Sequence, residues 1–167
     1  MYDAVINKMP SNGRILDIGF GNGVVLERAM KRSDGEFYGI DISGDMVKTA
    51  AKRNRKAVQE GRLILAEGSA EAIPFEEKFD CIYTINTVYF WPDLGAGLRE
   101  IKGKLADGGV FLNILYTKER LDRLKYTEYG FSKYTDEELI KAAEENGFTA
   151  SVEIIEEGIS YMVKAVP

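Results

Sequence analysis

The sequence predicts an α/β fold: a doubly wound, mainly parallel sheet with helices on both faces and an antiparallel hairpin at its C-terminal end. Three observations carry this reading. Short apolar runs alternate with stretches of helical periodicity along most of the chain, the pattern of right-handed βαβ units. The first apolar run, Arg14–Ile18, opens through Gly19, Gly21 and Gly23 directly into a helix-forming segment. The last two β-rich runs, Thr149–Glu156 and Ile159–Val166, are separated only by Glu157-Gly158. That connection cannot hold a crossover helix, so the two strands must pair antiparallel.

The elements follow in order. About a dozen residues form a short lead before Arg14. After the glycines, Val24–Met30 is a helix, and Glu36–Asp41 is the second strand. Met46, Val47, Ala50, Ala51, Ala57 and Val58 recur at helical spacing, predicting one helix over Asp45–Gln59 with Ser43 as its N-cap and Gly61 just past its end. Arg62–Ala66 and Phe79–Thr84 are the next strands. Leu94, Leu98, Ile101 and Leu105 form one apolar stripe of a helix over Asp93–Leu105, and Asp107-Gly108-Gly109 turns the chain into the strand Val110–Tyr116. Thr135-Asp136-Glu137-Glu138 has the form of a capping box, opening a helix that stops near Asn146-Gly147. The connection Thr117–Tyr134 carries Tyr126, Tyr129, Phe131 and Tyr134, with only Leu121 and Leu124 suggesting a helical turn. Long connections of this kind are often functional, and a surface helix with irregular chain is the plainer reading.

Composition narrows the function classes. A chain of 167 residues, 45% apolar and 29% charged, fits one domain over 1–167 with a substantial core. No apolar run approaches the ~20 residues of a membrane span, and the start lacks the basic and apolar regions of a secretory signal. The net charge of -5 opposes a nucleic-acid partner. Lys48, Lys52, Arg53, Arg55 and Lys56 lie late in a predicted helix, where cations complement the helix C-terminus. A single cysteine, Cys81, allows no internal disulfide and agrees with a cytoplasmic location. The absence of histidine removes Ser-His and Cys-His nucleophiles and leaves no zinc site, so no metal is expected.

The glycine turn points to a ligand. Glycines between a strand and a helix bring bare backbone N–H groups close to a bound molecule. Asp41, an acid about 20 residues further on at a strand end, suits a ribose diol. Six ordered segments then carry a family resemblance. Ile15-Leu16-Asp17-Ile18-Gly19-Phe20-Gly21-Asn22-Gly23 resembles the first motif of class I S-adenosylmethionine-dependent methyltransferases. Tyr38-Gly39-Ile40-Asp41-Ile42-Ser43 with Met46 resembles the second, and Glu67–Phe75 the adenine-side loop. Phe79–Thr84, Asn86–Asp93 and Leu98–Phe111 resemble the fourth strand, the segment after it and the fifth motif. The small-molecule subgroup that includes ubiquinone and menaquinone biosynthesis enzymes is the nearest in character, through Ala72-Ile73-Pro74-Phe75. The resemblance implies a Rossmann-like, seven-stranded sheet. The spacing agrees: G-x-G-x-G departs from the dinucleotide fingerprint G-x-G-x-x-G, and Asp17 beside the glycines would repel a pyrophosphate yet suit an ammonium and a sulfonium.

Site roles are implied by the same resemblance. Gly19, Phe20, Gly21 and Gly23 would wrap the methionine portion, with Asp17 near its ammonium. Asp41 would accept both ribose hydroxyls, Ile42 and Met46 would sandwich the adenine, and Ser69 and Ala70 would meet its edge. Many relatives carry an acid where Ser69 stands, so a water or the Ala70 N–H would complete that contact here. Thr84 and Asn86 lie at the carboxyl end of the fourth strand, and Tyr89 is the residue expected nearest the transferred methyl. Phe90 and Trp91 divide between core and pocket wall. Tyr89, Glu71 and the tyrosines of 126–134 are candidate bases, and no catalytic residue is chosen among them. The expected chemistry is SN2 transfer from S-adenosylmethionine to a small-molecule acceptor, leaving S-adenosylhomocysteine. The alternatives are a binding protein without turnover, or a subunit whose partner completes the acceptor site. Relatives usually carry helices before the first strand. The short lead here is expected to mean a minimal form, a lid borrowed from a partner subunit in a homo-oligomer, or a lost segment.

Overall fold

A computed structural model describes residues 1–167. Its centre is a seven-stranded sheet in the order β3-β2-β1-β4-β5-β7-β6. The strands are β1 (Arg14–Ile18), β2 (Glu36–Asp41), β3 (Leu63–Glu67), β4 (Phe79–Ile85), β5 (Leu105–Tyr116), β6 (Thr149–Glu156) and β7 (Ser160–Val166). Neighbours β3 to β5 pair parallel, and β7 pairs antiparallel with both β5 and β6. The hairpin expected from the Glu157-Gly158 connection is present, and it returns inward, so that the last strand enters between β5 and β6.

The central strands are nearly continuous hydrophobic runs because helices cover both faces. On one face Leu16, Ile40, Ile82 and Phe111 meet Leu98 and Ile101 of helix α5 (Leu94–Lys104) and Leu139 and Ala143 of α7 (Asp136–Glu145). On the other, Ile15, Phe37, Tyr83 and Leu112 meet α1 (Tyr2–Ile6), α2 (Val24–Ala29) and Ala50 of α3 (Gly44–Arg53). The lead before Arg14 therefore contains a helix, α1, which buries Val5 and Ile6. Five residues are too few to display a periodicity in sequence.

Local expectations hold with three differences. The segment Asp107-Gly108-Gly109, expected as a turn before a strand at Val110, lies inside β5, which starts at Leu105 opposite Phe79 and shifts register before Val110 pairs with Cys81. The helix expected over Asp45–Gln59 is broken at Asn54 into α3 and α4 (Arg55–Gln59). The Asn54 amide donates to the Gly23 and Ala50 carbonyls, both at 3.1 Å, tying the break to the glycine turn. The connection Thr117–Tyr134 holds a short helix, α6 (Lys118–Asp122), and a 3-10 turn at Lys125–Thr127, and Ser132 N donates to the Tyr89 carbonyl at 2.9 Å. Within the basic cluster, Lys48 pairs with Asp45, Lys56 with Glu60 and Arg53 with Glu27 of α2, and Arg53 also donates to the Asn22 carbonyl. The capping box of α7 closes both ways: Glu138 N donates to Thr135 Oγ1 at 3.2 Å, and Thr135 N to Glu138 Oε2 at 2.9 Å. Thr135→Ala is expected to cost about 1 kcal/mol. Thermal unfolding should show it as a Tm lower by roughly 2–4 °C.

Candidate functional site

The carboxyl ends of β1, β2 and β4 converge where open α/β sheets place ligands. The turn after β1 is held by Gly19 N, which donates to the Ile40 carbonyl at 2.7 Å. Gly19, Gly21 and Gly23 all have positive φ, of 75°, 56° and 77°. Their surroundings differ. A Cβ on Gly23 would stand 2.7 Å from that of Ala50, so this glycine lets α2 and α3 approach. A Cβ on Gly19 would strike the Thr87 side chain. A Cβ on Gly21 would meet nothing, because that position faces open space.

Asp41 joins the turn to the second motif. Its Oδ2 accepts from Gly21 N at 2.9 Å and its Oδ1 from Ser43 N at 3.0 Å. Two backbone donors thus fix the plane of the carboxylate, and the remaining lone pairs are free for a ligand.

Two cavities flank Gly19. The larger, about 400 Å3, is lined by Asp41, Ile42, Gly68, Ser69, Ala70 and Glu71 on one side and by Ile18, Gly19, Thr87, Phe90, Trp91 and Pro92 on the other. Ile42 is 73% exposed, an apolar surface with no protein partner. Glu71 Oε1 is buried here without a hydrogen-bond partner. The smaller cavity, about 240 Å3, is lined by Asp17, Gly19, Phe20, Gly21, Asn22, Val24, Val25, Ile85, Asn86 and Tyr2. No lysine or arginine lines either cavity. A ligand with phosphates would find no countercharge, whereas a cationic one meets Asp17, Asp41 and Glu71.

Asp17 is buried and receives the Tyr83 hydroxyl at 2.7 Å. Burial pushes its carboxyl up to about 7; the Tyr83 hydrogen bond opposes this and the nearby Asp41 charge adds to it. Tyr83, buried beside that acid, is held well above the usual phenol range.

The structure divides the expected site residues. Gly19, Asp41, Ile42, Ser69 and Ala70 come together at the larger cavity, and Asp17, Phe20, Gly21 and Asn86 at the smaller. Gly23, Met46, Thr84 and Tyr89 line neither. Gly23 is the left-handed N-cap of α2. Met46 packs against the core on the α2–α3 side. The Thr84 hydroxyl donates to the Ile18 carbonyl at 2.8 Å and also touches the Thr87 hydroxyl, joining β4 to β1. Tyr89 is 2% exposed; its hydroxyl donates to Asn86 Oδ1 at 3.0 Å and accepts from Tyr116 N at 2.7 Å. Burial pushes its phenol above the usual range, and the side chain bridges the β4 loop and β5. The place expected for Tyr89 at the cavity falls to Phe90, which is 52% exposed and stacks edge-on to Phe131 at 4.7 Å. Thr87 and Pro92 also went unassigned in the sequence. The segment 86–93 was legible as a site loop, but adjacent aromatics in a 3-10 turn, Val88–Phe90, have no periodicity that tells inside from outside. Tyr2 carried no signal.

Residues 16–113, more than half of the chain, match the family described as "Methyltransferase domain". The chain belongs to the class I S-adenosylmethionine-dependent methyltransferases. Within these methyltransferases, a putative methyltransferase of Bacillus subtilis, YrhH, is 35% identical over 117 residues, covering 68% of this chain and 63% of the relative. The ubiquinone/menaquinone biosynthesis C-methyltransferase UbiE of Geotalea daltonii is 32% identical over 122 residues, covering 71% of this chain and 52% of UbiE. The chain thus spans between half and two thirds of the length of these curated relatives. Its methyltransferase fold superposes on the PH0226 protein of Pyrococcus horikoshii with a TM-score of 0.83 at 22% identity, over 99% of this chain and 86% of the other.

Proposed function

We propose that residues 1–167 act as a single domain that transfers a methyl group from S-adenosylmethionine to a small-molecule acceptor. The observation that carries this reading is the pair of cavities meeting at Gly19, one with Asp41 and an uncovered Ile42, the other with Asp17, and neither with a basic side chain. The chemistry the cofactor supplies is an activated sulfonium methyl. The chain's own residues bind, orient and exclude water. Asp41, fixed by Gly21 N and Ser43 N, holds the ribose hydroxyls. Ile42 and Ala70 offer apolar surface to the adenine, and Ser69 and Glu71 offer polar atoms at its side of the cavity. Asp17 and the open backbone at Gly21 receive the amino-acid end. Thr87, Phe90, Trp91 and Pro92 form the opposite wall, on which the acceptor lies. Their mainly apolar and aromatic character supports an acceptor with an apolar, planar body. Two of the relatives named above, UbiE and YrhH, carry methyltransferase names, which supports transfer over binding alone.

Calorimetric titration with S-adenosylhomocysteine tests the reading. Micromolar binding is expected, weakened at least tenfold in Asp41→Ala; folded protein that shows no binding at millimolar ligand, or an Asp41→Ala variant that binds equally, would sink it. Incubation with S-adenosylmethionine and a panel of aromatic acceptors, read by S-adenosylhomocysteine formation, separates transfer from binding without turnover. In that assay Phe90→Ala is expected to raise KM for the acceptor about tenfold and to leave S-adenosylhomocysteine affinity within twofold.

A further inference from the structure

One polar atom in the larger cavity has no use within the fold. Glu71 Oε1 is sealed from solvent and accepts no hydrogen bond. No lysine or arginine reaches the cavity to pair with it. A carboxylate oxygen taken out of water without a donor costs free energy, which a donor on a ligand would offset.

The loop that carries Glu71 is fixed. Ala72 N donates to the Ser69 carbonyl at 3.2 Å, closing a tight turn, and Ile73 N donates to Glu100 Oε1 of α5 at 3.2 Å. Gly97 of α5 brings this loop against the aromatic wall. A Cβ there would stand 2.9 Å from the Trp91 ring and 3.4 Å from the Ala70 Cβ. Glu71 follows Ala70 directly, so it stands where the side of the cavity assigned to adenine meets the wall of Phe90, Trp91 and Pro92.

We propose that the methyl acceptor is an amine carried on an aromatic body, with Glu71 receiving its N–H and Phe90 and Trp91 its ring. The proposal rests on the methyl-transfer reading above and names the substrate class of that same site. Charge decides among the nucleophiles. A phenolate, an enolate or a carboxylate would enter a cavity that holds Asp41 and Glu71 and no cation. A neutral amine brings its own lone pair and needs no base. Its nitrogen attacks the methyl carbon, the carbon–sulfur bond breaks towards sulfur, and the positive charge passes to nitrogen. One N–H proton of the new ammonium then leaves to solvent. Glu71 accepts an N–H throughout, and its attraction strengthens as the charge on nitrogen develops. Aromatic faces beside the nitrogen favour the same charge.

Matched acceptors test this. Benzyl, phenethyl, naphthylmethyl and indolylethyl bodies are each supplied as the amine, the alcohol and the carboxylate. Calorimetry on the protein loaded with S-adenosylhomocysteine should show the amine binding about tenfold more tightly than the alcohol, and the carboxylate not at all. With S-adenosylmethionine, mass spectrometry should find the methyl group on nitrogen. Glu71→Gln keeps the shape and removes the charge. It should weaken amine binding about tenfold, to the level of the alcohol, and leave S-adenosylhomocysteine affinity within about threefold. Alcohols or carboxylates bound or methylated as well as the amines overturn the proposal. So does a preference for amines that survives Glu71→Gln, or loaded protein that binds no amine of the panel; each leaves the cofactor reading standing. If S-adenosylhomocysteine itself does not bind, both fall.

Discussion

Gly19→Ala is expected to destabilise the protein by about 2–5 kcal/mol and to lower S-adenosylhomocysteine affinity at least a hundredfold. Two costs combine. A φ of 75° strains any residue with a side chain, by roughly 1–2 kcal/mol. The new methyl group also drives into Thr87, and overpacking of this kind adds about 1–3 kcal/mol. Neither side yields easily. Gly19 N is bonded to the Ile40 carbonyl, while Thr87 is held through Thr84 to Ile18. The backbone would shift where both cavities meet, so binding should suffer along with stability. Gly21→Ala is the comparison: its φ is also positive, but its methyl group meets no protein atom, so only the strain remains. Urea unfolding should rank Gly19→Ala well below Gly21→Ala. Equal midpoints for the two would show that the Thr87 contact carries no weight.

Asp17→Asn is expected to stabilise the ligand-free protein above pH 7 while weakening cofactor binding. The sign follows from the protons bound by each state. Asp17 ionises near pH 4 in the unfolded chain and at about 7 in the folded one. Between these values the folded state holds a proton that the unfolded state has lost, so stability falls as pH rises from about 4 to 7 and is level beyond. At 1.36 kcal/mol per pK unit, the penalty at neutral pH and above reaches at most about 4 kcal/mol. Asparagine keeps an oxygen for the Tyr83 hydroxyl and never ionises, so the variant should lack this slope. Its Tm should match that of the parent near pH 4.5 and exceed it by several degrees at pH 8. A stability–pH curve unchanged by the substitution would show that Asp17 is already ionised in the free protein. The gain in stability set against a loss in binding is the exchange expected where a site holds a strained or unpaired group for its ligand.

The glycine turn, Asp41 and the capping box of α7 were legible because each is a spacing rule among residues a few positions apart. The strands were legible from their apolar runs. Asn54, by contrast, breaks a helix whose pattern continues unbroken through it, because its amide is drawn to Gly23, 31 residues away. α1 was invisible, since Val5 and Ile6 acquire meaning only against the sheet face that they cover.

The site divides along the same line. A parallel sheet ending in a glycine turn that faces an acid was readable along the chain, because those features depend on the order of its residues. That Tyr89 is sealed while Phe90 faces the cavity, that Met46 and Thr84 line neither cavity, and that Asp17 stands buried with no cation follows from packing in three dimensions. Burial and charge pairing are set by what remote segments bring to the same point in space, and no local pattern records them.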